Sequence, residues 1–144
     1  MILRRKRLPE ALEPAHEAFV EVLGEVEPAK SALASVMPTT RMPGRPLTDA
    51  VLEFEERLGR TRGLMPAWRV TEVEREWAAC DGGVAEALER ARRLREEAPD
   101  LGGFEGLIWA VGELLAPLEP FEAAERRFRD LGARPRLPGS PGSR

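Results

Sequence analysis

The sequence contains no asparagine, glutamine or tyrosine, one cysteine (Cys80) and one histidine (His16). A single cysteine excludes an intramolecular disulfide and any cysteine-cluster zinc site. A single histidine leaves too few imidazoles for a histidine-rich metal centre. Without asparagine there is no Asn-Gly hairpin turn, and alternating runs of β-branched residues between turn residues are missing as well. Lysine is reduced to Lys6 and Lys30, so 20 of the 22 basic residues are arginine. Together with the heavy use of Ala, Gly and Pro, this reads first as a GC-rich coding bias and second, from the missing Asn and Gln, as a thermophile trait; either way arginine is the default cation of the chain. The formal charge of −3 gives no global attraction to nucleic acid. Long apolar runs are also absent. The longest, Leu107-Ile108-Trp109-Ala110-Val111, falls far short of the ~20 residues that span a bilayer. The basic start Arg4-Arg5-Lys6-Arg7 runs into Pro9 and Glu10, where a secretory leader would place an apolar core. A cytoplasmic bacterial protein without a membrane segment is the expectation.

What the chain does have is helical periodicity. With 144 residues and 42% hydrophobic content, it suffices for one domain with its own core. Leu8, Leu12, Ala15, Phe19, Val22, Val26, Ala29, Leu33 and Val36 advance in steps of four and three, which keeps one stripe of a helix facing a partner. Pro14 and Pro28 interrupt that stripe, so a kinked helix, or two helices broken near Glu27, is expected. Residues 37–46, with three prolines and a glycine, read as a loop. A second helix starts near Pro46 or Thr48 and ends at Gly63, with the stripe Leu47, Val51, Phe54 and Leu58. Thr71 and Glu74 match a capping box ahead of a third helix over 72–97. Its stripe of Val73, Trp77, Cys80, Val84, Ala87, Ala91 and Leu94 keeps phase through Asp81-Gly82-Gly83, which favours a continuous helix over a break. The fourth segment carries Phe104, Leu107, Val111, Leu114, Leu118, Phe121, Ala124, Phe128 and Leu131, and Pro117 and Pro120 bend or split it. The expected fold is therefore all-α: an antiparallel up-down four-helix bundle over 8–131 with proline-kinked first and last helices. A basic tail (1–7) precedes it, and a disordered Pro/Gly/Ser-rich tail (132–144) follows.

Chemistry has few candidates on such a scaffold. Cys80 lies on an apolar stripe, which reads as structural burial. The serines (31, 35, 140 and 143) sit in no strand-turn-helix elbow, and no phosphate-loop motif occurs. Glu13 and His16 form a Glu-x-x-His spacing, as in di-iron bundles. One histidine would need a symmetric dimer to complete such a site, with Glu53, Glu55, Glu56 or Glu113 as further ligands. The competing reading is a flank histidine on an acidic face. No cofactor is implied.

Binding has more support. Arg41 and Arg45 in the first loop, and Trp68 and Arg69 in the second, are the candidate partner contacts, at opposite ends of the bundle. Trp68 reads first as a plug over the end of the core and second as a hot-spot anchor. Trp77 reads as core. Trp109 lies in a segment apolar nearly all round, the pattern of a helix with neighbours on several sides or of a dimer face. An up-down bundle would also collect Arg4, Arg5, Lys6, Arg7, Arg60, Arg62, Arg127 and Arg129 at one end, a candidate nucleic-acid surface. The leading expectation is a non-catalytic protein-binding or adaptor module whose partner is another protein or a second copy forming a homodimer. A nucleic-acid-associated protein is the alternative, and a carboxylate/His metal site on a dimer axis is third.

Overall fold

The structure, a computed structural model, describes residues 7–97 and 99–133. All regular structure among them is helical. A 3-10 turn (Glu10–Leu12) leads into α1 (Glu13–Ala34). Then come α2 (Leu47–Leu64), two further 3-10 turns (Met65–Trp68 and Thr71–Val73) and α3 (Glu74–Glu97). Next are α4 (Phe104–Leu115), a 3-10 turn (Ala116–Leu118) and α5 (Pro120–Asp130). None of these helices is long and apolar enough to cross a membrane.

The stripes explain the helices. Leu12, Ala15, Phe19, Val22, Val26, Ala29, Leu33 and Val36 are all buried, as are Val51, Phe54 and Leu58 of α2. Pro14 falls in the first turn of α1, where its missing N–H costs nothing. Pro28 lies inside the helix, yet α1 is continuous and not two helices broken near Glu27. Val26, Ala29 and Leu33 are buried on both sides of it, and that packing outweighs the one lost backbone bond.

Two local expectations are corrected. Gly63 does not end α2. The helix passes through Leu64 and tightens to Trp68, and only at Arg69 does the backbone turn extended, at ψ 103°. Nor does Thr71 form a capping box, since its 3-10 turn has no side-chain cap. The Glu74 carboxylate is taken by Arg69, whose Nε and Nη2 donate to it at 3.1 and 2.7 Å. A charge-assisted pair of bonds to guanidinium outcompetes the single backbone amide.

Helix α3 runs unbroken through Asp81-Gly82-Gly83, because Gly83 is a packing point. A Cβ there would overlap the carbonyl oxygen of Pro117. The fourth segment is divided by its prolines into α4, the 3-10 turn and α5. Polar bonds tie the helices side to side. Glu25 of α1 accepts from Arg57 and Arg60 of α2 at 3.1 and 3.0 Å. Arg95 of α3 donates to Glu55 of α2 at 2.9 Å. Arg90 of α3 donates to the Glu113 carbonyl at 2.9 Å. Arg127 of α5 donates to the Glu72 carbonyl at 3.2 Å.

The first and last described residues meet beside α5. Gly132, at φ +117°, lies against the backbone of Arg7 and Leu8 with no room for a Cβ. The Ala133 amide donates to the Phe128 carbonyl at 2.9 Å, and Ala133 is buried. Gly132 and Ala133, which composition placed in the tail, thus form the C-terminal stop of α5. Residues 1–6 and 134–144, including Arg4, Arg5, Lys6 and most of the proposed tail, lie outside the described residues.

Candidate functional site

The two halves of the molecule differ in how they are sealed. At the end made by the 65–73 turns, Trp68 is 0% exposed. Its ring packs edge-on against Phe19, with centroids 4.8 Å apart, and against Phe128 at 6.2 Å. Both buried indoles are satisfied by one residue. Trp68 Nε1 donates to Met65 Sδ at 3.3 Å, and Trp77 Nε1 to the Met65 carbonyl at 2.8 Å. Arg69 then covers Trp77, with its guanidinium carbon 4.1 Å from the ring centroid, a cation–π lid held flat by Glu74. Trp68 therefore sits in the plug position and presents no surface to a partner, while Arg69 is committed within the chain.

The other sequence candidates fall as follows. Arg41 is exposed on a turn in which the Thr39 hydroxyl accepts from the Arg41 and Met42 amides at 3.3 and 3.0 Å. Arg45 donates to Glu53 at 2.6 Å. These two precede α2, and Trp68 and Arg69 follow it, so the structure does not join the pairs into one site. Of the residues expected at a basic end, Arg7 lies against Gly132, and Arg127 reaches the second turn through the Glu72 carbonyl. Arg60, however, is neutralised by Glu25 and Glu56, and Arg127 caps a carbonyl. Arg7, Arg62 and Arg129 are exposed.

His16 is half-buried, its ring 5.2 Å from that of Phe128, while Glu13 is exposed. The other glutamates weighed as ligands are bound to arginine: Glu53 to Arg45 and Arg57, Glu55 to Arg95, Glu56 to Arg60 and Glu113 to Arg90. Among the described residues, no group of three His, Cys, Asp or Glu side chains could hold a metal ion within one chain. Cys80 is buried, and desolvation, with a smaller contribution from the Glu76 charge, pushes its thiol up to about 12. At neutral pH it is a packed thiol and not a nucleophile.

The opposite half is unsealed. The large hydrophobic side chains exposed among the described residues are Met42, Leu52, Phe104, Ile108 and Trp109. They belong to the first loop, the start of α2 and the start of α4. Phe104, Ile108 and Trp109 are 57%, 47% and 59% exposed on a single helix. Beside Trp109, α3 and α4 enclose a groove of about 410 Å³ whose walls include Arg90, Arg93, Leu94, Glu97 and Glu113. A smaller hollow of about 210 Å³ lies between Leu47 and Val51 of α2 and Leu94, Pro99 and Leu101 near the α3–α4 turn. Sequence reasoning singled out Trp109, wrongly placed Phe104 on the inward stripe, and missed Met42, Leu52 and Ile108. The available signal was the all-round apolar character of residues 104–115, which exceeds what one buried face requires. Comparison with protein-family models, with curated proteins and with solved structures finds no match.

Proposed function

We propose that the protein is a non-catalytic protein-binding module, and that its docking face is the outer surface of α4 with the adjoining α3–α4 groove. The observation that carries this is the exposure of Phe104, Ile108 and Trp109 along one short helix, with Trp109 on the wall of the α3–α4 groove. Aromatic residues clustered at a groove are what interfaces use as anchors. The polar groups elsewhere support the same reading, since eight of the fifteen described arginines are paired with glutamates and the cysteine is packed away. Arg41 and Met42 of the first loop belong to the same unsealed half and would extend the rim.

The proposal includes an up-down arrangement of four rods, α1, α2, α3 and the α4–α5 pair, with bends at Pro28, Pro117 and Pro120. It is supported by the order of the cross-links. The third and fourth rods are cross-linked in antiparallel order, since Arg90 meets Glu113 and the earlier Glu72 meets the later Arg127.

The test is site-specific photo-crosslinking in the cells that make the protein. A photoreactive residue at Ile108 is expected to give a discrete protein adduct, and one at Arg62, on the far half, is expected to give none. Equal labelling at both positions, or no adduct from Ile108, overturns the reading.

A further inference from the structure

The α3–α4 groove carries a charge pattern that suits a copy of itself. Along α3, Arg90 is held by Glu86 and Glu113, Arg92 by Glu89 and Glu96, and Arg95 by Glu55. Arg93 is the exception. Its only ion pair among the described residues is a long one, 3.6 Å to a Glu89 carboxylate that Arg92 already grips closely. One turn further on, Glu97 is exposed and makes no ion pair among the described residues. Both residues line the groove together with Trp109. Opposite charges one helical turn apart have a particular symmetry property. A two-fold axis passing between them sets each against its opposite on the other copy, whereas a rim of one sign would repel its own copy.

The apolar surface fits the same operation. Gly112 lies one turn after Ile108, and its missing Cβ would meet nothing in the chain, so a second backbone can approach α4 closely there. The groove's volume of about 410 Å³ is within the range of side-chain and small-ligand pockets, about 300–1,000 Å³.

We infer that a second copy of this chain covers the α4 face, with Trp109 of each copy entering the α3–α4 groove of the other and Arg93 and Glu97 pairing reciprocally across the two-fold axis. This rests on the docking-face reading above and names its occupant.

Sedimentation equilibrium of the full chain tests it. The expected mass is twice 16.0 kDa. Trp109→Glu is expected to give a monomer with an unchanged far-ultraviolet spectrum, because the side chain is exposed. Arg93→Glu is expected to weaken association about tenfold or more, and adding Glu97→Arg to it is expected to restore association. A monomeric wild type, a Trp109→Glu dimer as tight as wild type, or a double variant no tighter than Arg93→Glu alone overturns the inference. A monomeric wild type that still gives a heterologous adduct from Ile108 overturns self-association and leaves the docking face standing. Absence of both overturns the two together.

Discussion

Gly83 and Pro117 meet backbone to backbone: a Cβ on Gly83 would occupy the space of the Pro117 carbonyl oxygen. Its neighbour Gly82, in the same helix, faces open space. The two glycines therefore separate propensity from packing. Gly82→Ala is expected to stabilise the fold by up to about 1 kcal/mol, the usual helix-interior gain. Gly83→Ala is expected to destabilise it by roughly 1–3 kcal/mol, the cost of overpacking. Urea denaturation of both variants checks the pair, and equal signs would show that the α3–Pro117 contact is misplaced.

Trp68 and Trp109 are expected to differ sharply in energetic weight. Trp68 is fully buried between Phe19 and Phe128, so Trp68→Ala is expected to cost about 3–5 kcal/mol. Trp109→Ala, at an exposed site, is expected to change the stability of the dilute monomer by less than about 0.5 kcal/mol. Denaturation midpoints measured at low protein concentration decide this.

Glu25 links α1 to α2. A hydrogen bond from Arg60 holds its carboxyl below the ordinary range; burial opposes this, and Arg57 adds to the lowering. A carboxyl whose folded value is depressed contributes stability above its unfolded value and loses it as pH falls through the folded one. Wild type is thus expected to be more stable than Glu25→Gln at neutral pH, with the gap closing in acid. Urea midpoints across that range check the sign, and a gap that widens in acid contradicts it.

Cys80 is expected to be inert in the native state, because burial raises its thiol to about 12. A thiol reagent should label it at neutral pH only as fast as the chain opens, and readily in urea. Rapid labelling of the folded protein would place the side chain outside the core.

These contrasts show which parts of the structure were legible in the residues. The stripes from Leu12 to Val36 and from Val73 to Leu94 recorded which positions face inward, because a helix packed along one face buries an apolar residue every three or four positions. Continuity through Gly82-Gly83 was legible from preserved phase, although the reason for it, the approach of Pro117, lies 34 residues away. The end of α2 was not legible. Gly63 permits a stop without requiring one, and burial of Met65 and Trp68 pulls the helical path onward. The capping box failed for a similar reason, since Arg69 claimed the carboxylate it needed. Least visible was the α4 face. A pattern of 3.6 residues identifies Val111 and Leu114 as core, but it cannot say whether Phe104 at the open end of the same stripe, or Ile108 and Trp109 on its flanks, have a neighbour.

The most direct measurement is the indole region of a ¹H–¹⁵N spectrum recorded at increasing protein concentration. Trp68 and Trp77 donate to Met65 within the chain and should hold their positions, while the Trp109 resonance should move or broaden as copies associate. Three indole signals that all stay fixed over the whole range would contradict self-association through α4.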